Sequence, residues 1–158
     1  FLKNTFTGAD KGTAVHRFLE LADFEKALYN VNDEIDRILE EQLMTEEELQ
    51  VLDLSTVECF LKSDVISRLL KSEKVLKEYA FTVFRNAADF NENLPEYLTD
   101  EQIVVQGKLD CAFIENGEAV LIDYKTDKTT DEAQYINTYR NQLNVYSDAL
   151  YQSSGYNV

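Results

Sequence analysis

Two adjacent residues, Asn116 and Gly117, restrict what this chain can fold into more than any other feature. They sit between two runs of β-type residues, within the stretch from Ile103 to Lys125. Asn-Gly is the pair that most readily takes the two positive φ angles of a type I′ turn. A two-residue hairpin leaves no freedom of register: with Glu115 and Glu118 flanking the turn, the numbers of opposing residues sum to 233. Asp110 is then opposite Asp123, on the same face, with Cβ atoms roughly 4.5–5.5 Å apart. Lys125 lies two residues beyond Asp123 and points to that face as well.

Like charges directly opposite each other destabilise a sheet. A divalent cation between the carboxylates removes the conflict, and hard oxygen donors suit Mg²⁺, with Mn²⁺ as a substitute. The run Val120-Leu121-Ile122 is strongly apolar, which places the charged residues at the end of a buried strand. The alternative is a solvated hairpin face on which Lys125 screens the two acids. The D-x-K pattern alone does not separate the two.

Elsewhere the pattern is helical at first. Val15, Phe18, Leu19 and Ala22 recur at helical spacing after Gly12-Thr13, which predicts a first helix running to about Leu28. Asn32 is a candidate cap for an acidic helix carrying Ile35, Ile38, Leu39 and Leu43. Thr45 with Glu48 forms a capping-box pattern, and Ser55 to Leu70 continues helical, with Ser55 and Ser63 as candidate caps. Leu76 to Phe84 reads as a strand, residues 86–100 as a loop, and the stretch after Lys128 as irregular. A last helix is predicted from about Gln134 to Gln152, with Tyr139, Leu143, Tyr146 and Leu150 on one stripe. The expectation is one α/β domain over residues 1–158, with a central mixed sheet flanked by helices and a helical N-terminal segment.

The chain carries a net charge of −15, the reverse of what phosphate neutralisation asks of a free-standing nucleic-acid binder. The acidity is concentrated: Glu20 to Asp53 holds twelve acidic residues against Lys26 and Arg37. Such a segment reads as solvated helices. The two cysteines, Cys59 and Cys111, cannot supply a Cys-type zinc or iron–sulfur site and are expected to be reduced thiols. No apolar run is long enough for a membrane span. With Phe1 at the start and Val158 at an abrupt end, the chain reads as a piece of a longer protein.

Four motifs occur in order: Gly12-Thr13-Ala14-Val15-His16-Arg17-Phe18-Leu19-Glu20, Gln106-Gly107-Lys108-Leu109-Asp110, Leu121-Ile122-Asp123-Tyr124-Lys125-Thr126-Asp127-Lys128, and Gln142-Leu143-Asn144-Val145-Tyr146. Together they resemble the RecB-type nuclease module of the PD-(D/E)XK superfamily. Within it they are most similar to the C-terminal nuclease domain of the bacterial helicase/nuclease A-subunit family (the AddA/RexA type). The resemblance spans about residues 8 to 152; the segment between Leu28 and Lys71 carries none of the motifs.

The resemblance implies a restriction-endonuclease-like fold and metal-dependent hydrolysis of DNA phosphodiester bonds, with Mg²⁺ as cofactor. It implies that His16, Asp110, Asp123 and the backbone carbonyl of Tyr124 are metal ligands, that Lys125 is catalytic together with Asp110 and Asp123, and that Gln142 and Tyr146 position DNA. Glu78 falls where such domains have a glutamate opening a strand. The implied partners are single-stranded DNA, a helicase domain of the same parent chain and a second nuclease subunit, acting in double-strand break repair in the bacterial cytoplasm. Taken alone, His16 is more often an ordinary surface or packing residue, Gln142 and Tyr146 usually pack at the edge of a core, and Gly107 suits a close backbone approach. Two other readings follow from the residues: a non-catalytic module for DNA guidance or subunit docking, and a stand-alone exonuclease of the same family.

Overall fold

The structure is a computed structural model in which residues 6–91, 93–125 and 132–158 are described. Six helices come first: α1 (Gly8–Leu21), α2 (Phe24–Tyr29), α3 (Val31–Glu40), α4 (Glu46–Gln50), α5 (Leu54–Leu61) and α6 (Asp64–Leu69). Strands β1 (Lys74–Asn86), β2 (Gln102–Glu115) and β3 (Glu118–Ile122) follow, and α7 (Glu132–Ser154) closes the sequence of elements.

The predicted first helix is in fact two. The Asp23 side chain accepts from the amides of Glu25 and Lys26, starting α2 where α1 would otherwise have continued. The amide of Asp23 itself donates to the buried carboxylate of Glu34 at 2.6 Å. Capping also differs from expectation at three further places. Asn30, not Asn32, caps α3; Asp53, not Ser55, caps α5; and Ser63 stands at the start of α6 without a capping bond, its hydroxyl donating to Phe60 O instead. The Thr45–Glu48 capping box forms in full.

The described strands make an antiparallel sheet in the order β1-β2-β3, so the mixed pairing expected within the α/β fold is not seen among them. β1 and β2 are longer than the periodicity suggested, and the loop between them holds two short 3-10 turns. The Asn116-Gly117 turn has φ angles of +55° and +79°, as a type I′ hairpin requires. Every β2–β3 pair, from Glu115↔Glu118 to Cys111↔Ile122, has the predicted register.

The sheet is covered on both faces. Ala14, Val15, Phe18 and Leu19 of α1, with Val57, Leu61 and Ile66, pack against Cys111, Phe113 and Tyr124. Leu150 of α7 packs on the other face against Leu109, Ala112 and Ile114, and Ala149 against Phe81 and Val83. Strict alternation would put Leu109 on the same side as Cys111; it lies on the other. The change falls at Asp110. On β1 the pairs Lys77↔Cys111 and Tyr79↔Leu109 bracket Glu78, which adopts φ +49°. A non-glycine residue in that region is a local distortion that re-aims neighbouring side chains. Glu78 therefore lies inside β1 rather than at its opening, and its carboxylate pairs with Lys108 at 2.5 Å.

Both cysteines are free, Cys59 exposed and Cys111 buried. Among the described residues no helix is long and apolar enough to cross a membrane.

Candidate active site

The candidate site forms where the hairpin stops being a ladder. Beyond Cys111↔Ile122 the next opposed pair is Asp110 and Asp123, but β3 has ended. The Tyr124 amide donates to Asp110 Oδ2 at 2.7 Å, so a side chain takes over as acceptor where the strand peels away. The Tyr124 ring is buried and meets His16 and Phe60 edge-on, with centroids 5.7 and 5.2 Å away. That packing fixes the peptide whose carbonyl is one of the expected donors. Its hydroxyl is buried without a hydrogen-bond partner among the described residues, and burial raises its pKa well above that of an ordinary phenol.

The two aspartates have separate counter-charges. Asp110 Oδ1 lies 3.5 Å from His16 Nδ1, which α1 delivers from the helical layer. Asp123, with only 8% of its side chain exposed, pairs with Lys125 at 2.7 Å. Because each carboxylate faces its own basic side chain, neighbouring strand positions can hold both with less repulsion than an unscreened pair. The hairpin register is as expected, but the side chains diverge: Asp110 turns toward α1 and Asp123 toward α7. Among the described residues no three carboxylate, imidazole or thiolate groups converge on one point.

Gln142 ties the second pair to α7. Its Oε1 accepts from Lys125 Nζ at 3.2 Å, and its Nε2 donates to Tyr146 Oη at 2.6 Å and to Asp123 Oδ1 at 3.4 Å. The Tyr146 ring stands edge-on to Phe81 of β1, centroids 5.7 Å apart. One helical turn separates Gln142 from Tyr146, so a single face of α7 carries both. Gln142 bonds to the Asp123–Lys125 pair and Tyr146 to Gln142, roles the sequence motif does not specify.

The electrostatics follow this wiring. His16 is raised above the ordinary imidazole value chiefly by its contact with Asp110, against the opposing effect of burial. Burial works against ionising Asp110, yet His16 and the Tyr124 N–H outweigh it and hold the carboxyl below the usual range. Burial likewise disfavours the Lys125 ammonium, and the bond to Asp123 overcomes it, leaving the lysine firmly protonated.

Two supports were not legible as site residues. Lys77 of β1 reaches the C-terminus of α1, donating to Leu19 O at 2.9 Å and to Ala22 O, with its Nζ 3.4 Å from the centroid of Phe24. A cation satisfying terminal helix carbonyls fixes the helix that carries His16. The other is Tyr139, whose ring centroid lies 4.4 Å from Lys125 Nζ; the apolar stripe of α7 contained it but gave no reason to link it to a lysine. The Thr126-Asp127-Lys128 part of the third motif, and the irregular stretch after it up to residue 131, lie outside the described residues.

Residues 3–158 match the model of the PD-(D/E)XK nuclease superfamily. The chain belongs to that superfamily. It is 32% identical over 157 residues to the ATP-dependent helicase/nuclease A-subunit of Clostridium acetobutylicum, covering 95% of this chain and 12% of that protein. It is 34% identical over 162 residues to the protein of the same name from Clostridium perfringens, with 97% and 13% covered. For the Clostridium beijerinckii protein of that name the identity is 31%, with 99% and 13% covered. The superfamily domain thus spans about an eighth of the length of the curated relatives it matches. By donor chemistry the two carboxylates and the peptide carbonyl suit a hard divalent cation, with the imidazole a borderline fourth donor, although the two carboxylates point apart.

Proposed function

We propose that this domain hydrolyses DNA phosphodiester bonds, preferentially in single strands, as the nuclease module of a longer helicase/nuclease polypeptide in double-strand break repair. The observation that carries the reading is the Lys125 ammonium held between Asp123 and Gln142, next to the strand end where Asp110 meets His16. A protonated lysine fixed by two partners is a preorganised cation for a phosphorane, whose negative charge grows as the attacking oxygen bonds to phosphorus and passes to the leaving oxygen as that bond breaks. Lys125 would orient the attacking water and offset that charge. Gln142, as a second partner of Nζ, would fix the direction in which the ammonium points beside Asp123, and Tyr146 would hold Gln142. Gln142 and Tyr146 would position DNA through the same face of α7.

Asp110, Asp123, His16 and the Tyr124 carbonyl would hold a divalent cation, Mg²⁺ with Mn²⁺ as substitute. Once bound, such an ion polarises a phosphate oxygen and acidifies a coordinated water. Here α1 and the hairpin supply donors from opposite sides of the strand end. The partners of this reading are DNA, a helicase portion of the same polypeptide and a second nuclease subunit, in the bacterial cytoplasm. The names of the relatives and the small share of their length covered support the fused arrangement over a stand-alone exonuclease.

The test is cleavage of labelled single- and double-stranded DNA with Mg²⁺ or Mn²⁺ by wild type, Asp123→Ala and Lys125→Ala. Unchanged activity in both variants overturns the assignment. The net charge of −15 favours a second reading, a nuclease fold kept for guidance or docking. Calorimetry showing no divalent-cation binding, alongside no cleavage, would establish it.

A further inference from the structure

A cavity of about 360 Å³ opens beside the candidate site, with Leu121, Asp123 and Lys125 on one wall and Tyr135, Tyr139 and Arg140 of α7 on the other. Its volume is at the small end of the range for small-molecule sites, roughly 300–1,000 Å³. The aromatic side chains form a file leading away from the lysine. Lys125 Nζ stands 4.4 Å from the Tyr139 ring centroid, and the Tyr139 and Tyr135 centroids are 4.8 Å apart at an interplanar angle of 63°. Both rings are half-buried, whereas Arg140 is exposed at the rim. Lys125 is paired with Asp123 on one wall, which leaves Arg140 on the other as the cavity's net positive charge, a local exception in a chain of net charge −15 that suits a phosphate.

We propose that this cavity is a nucleobase-stacking subsite: the base of a nucleotide next to the scissile phosphate stacks on the Tyr135–Tyr139 pair, and Arg140 meets the phosphate beyond it. The inference rests on the nuclease reading above and names how the strand is gripped. Aromatic stacking accepts any base, because every base has a π-face, and combined with a cation that follows the backbone it is how proteins hold single strands without reading sequence. A base inside a duplex has no free face to offer, so the subsite selects unpaired DNA. Tyr139 serves twice, as a floor for the base and as the ring against which the Lys125 ammonium rests, which couples strand engagement to the position of the lysine.

The experiment uses the full-length protein and end-labelled single-stranded DNA carrying one abasic residue, with cleavage frequency read at every phosphate on a sequencing gel. In the wild type, cleavage falls roughly tenfold at one fixed offset from the abasic residue, the loss expected for one missing stacking contact. The double variant Tyr135→Ala/Tyr139→Ala cleaves less throughout and shows no dip. Tyr135→Phe/Tyr139→Phe keeps both rings and keeps the dip, which separates stacking from the hydroxyl groups. A flat wild-type profile, or a dip of equal depth in the alanine variant, overturns the subsite while the nuclease reading stands. If the wild type fails to cleave any DNA, the nuclease reading fails and the subsite falls with it.

Discussion

The carboxamide of Gln142 accepts a hydrogen bond from the Lys125 ammonium at 3.2 Å, and its other end donates to Asp123 and Tyr146. A neutral side chain thus spans the 2.7 Å ion pair of Lys125 and Asp123 and bonds to both of its members. Gln142→Leu keeps the volume and removes the bridge. We expect kcat to fall about tenfold or more, as for loss of a group that orients a charged partner, with KM changed less. Tyr146→Phe removes one acceptor, worth about 1 kcal/mol, so its effect should be a few-fold. Steady-state cleavage of single-stranded DNA checks both.

Asp123→Asn and Lys125→Met should be far more severe. Each removes a charge at the site of charge development, where single donors are worth about 10²–10³ in rate. Circular dichroism should show both variants folded, since neither residue belongs to the main core. Activity within threefold of wild type in either variant contradicts the proposed role.

The chain has a single histidine, so one imidazole resonance reports His16 without assignment. Its contact with Asp110 raises its pKa above the ordinary value. A raised folded-state value means the pair stabilises the fold below the ordinary imidazole pKa of about 6.5, and that this contribution is lost as pH rises through the folded value. In an NMR titration Asp110→Asn should bring the midpoint back toward the ordinary value. Saturating Mg²⁺ should lower the wild-type midpoint, because a cation and a proton compete for the same donors.

Glu34 tests the opposite sign. It is buried, and although burial alone would raise its pKa, the two bonds from Arg37 and the Asp23 amide hold it below the ordinary value. The network stabilises the junction of α1, α2 and α3 fully above the ordinary glutamate pKa, and its contribution fades as pH falls through the lowered value. Glu34→Ala should cost about 1–3 kcal/mol near neutrality, the range for leaving a buried donor such as the Asp23 amide unpaired, since Arg37 keeps Glu41 and Leu21 O as partners, and the difference from wild type should shrink in acid. Urea unfolding at a series of pH values measures it.

Gly107 probes a longer path. A Cβ there would lie 2.5 Å from Cζ of Phe81, whose ring is buried and meets the Tyr146 ring edge-on. Gly107→Ala should destabilise by about 1–3 kcal/mol, the cost of overpacking. It should also lower activity by pushing Phe81 into Tyr146 and so disturbing Gln142. Adding Phe81→Leu opens the space and should restore much of both, as thermal melts and cleavage assays would show.

These residues mark what was legible from the chain alone. The hairpin register was readable because Asn116-Gly117 admits one turn type, and a two-residue turn leaves one pairing. The Thr45–Glu48 box was readable because both partners are local. The direction of Asp110 was not: it depends on a positive φ at Glu78, on a different strand. The break between α1 and α2 was hidden for a similar reason, since the apolar spacing runs through it. Only the Asp23 cap and the distant Glu34 explain the stop. Residues whose roles depend on a partner far along the chain, such as Lys77 at the end of α1, leave no periodic trace.

The join between His16 and Asp110 has a consequence for how the domain comes into being. A hairpin with a tight local turn closes within about 1–10 μs, so Asp110, Asp123 and Lys125 can be neighbours early. His16 belongs to the first helix, and it reaches Asp110 only when the helical layer has docked on the sheet. Contacts of such long range form late, after the chain has lost most of its freedom. A copy in which the helical layer has come away from the sheet would therefore keep the hairpin but lack the imidazole of the proposed donor set. On the proposed reading the site is complete only while the two layers are docked, so partial unfolding at the contact between α1 and the sheet would silence it before the hairpin opens.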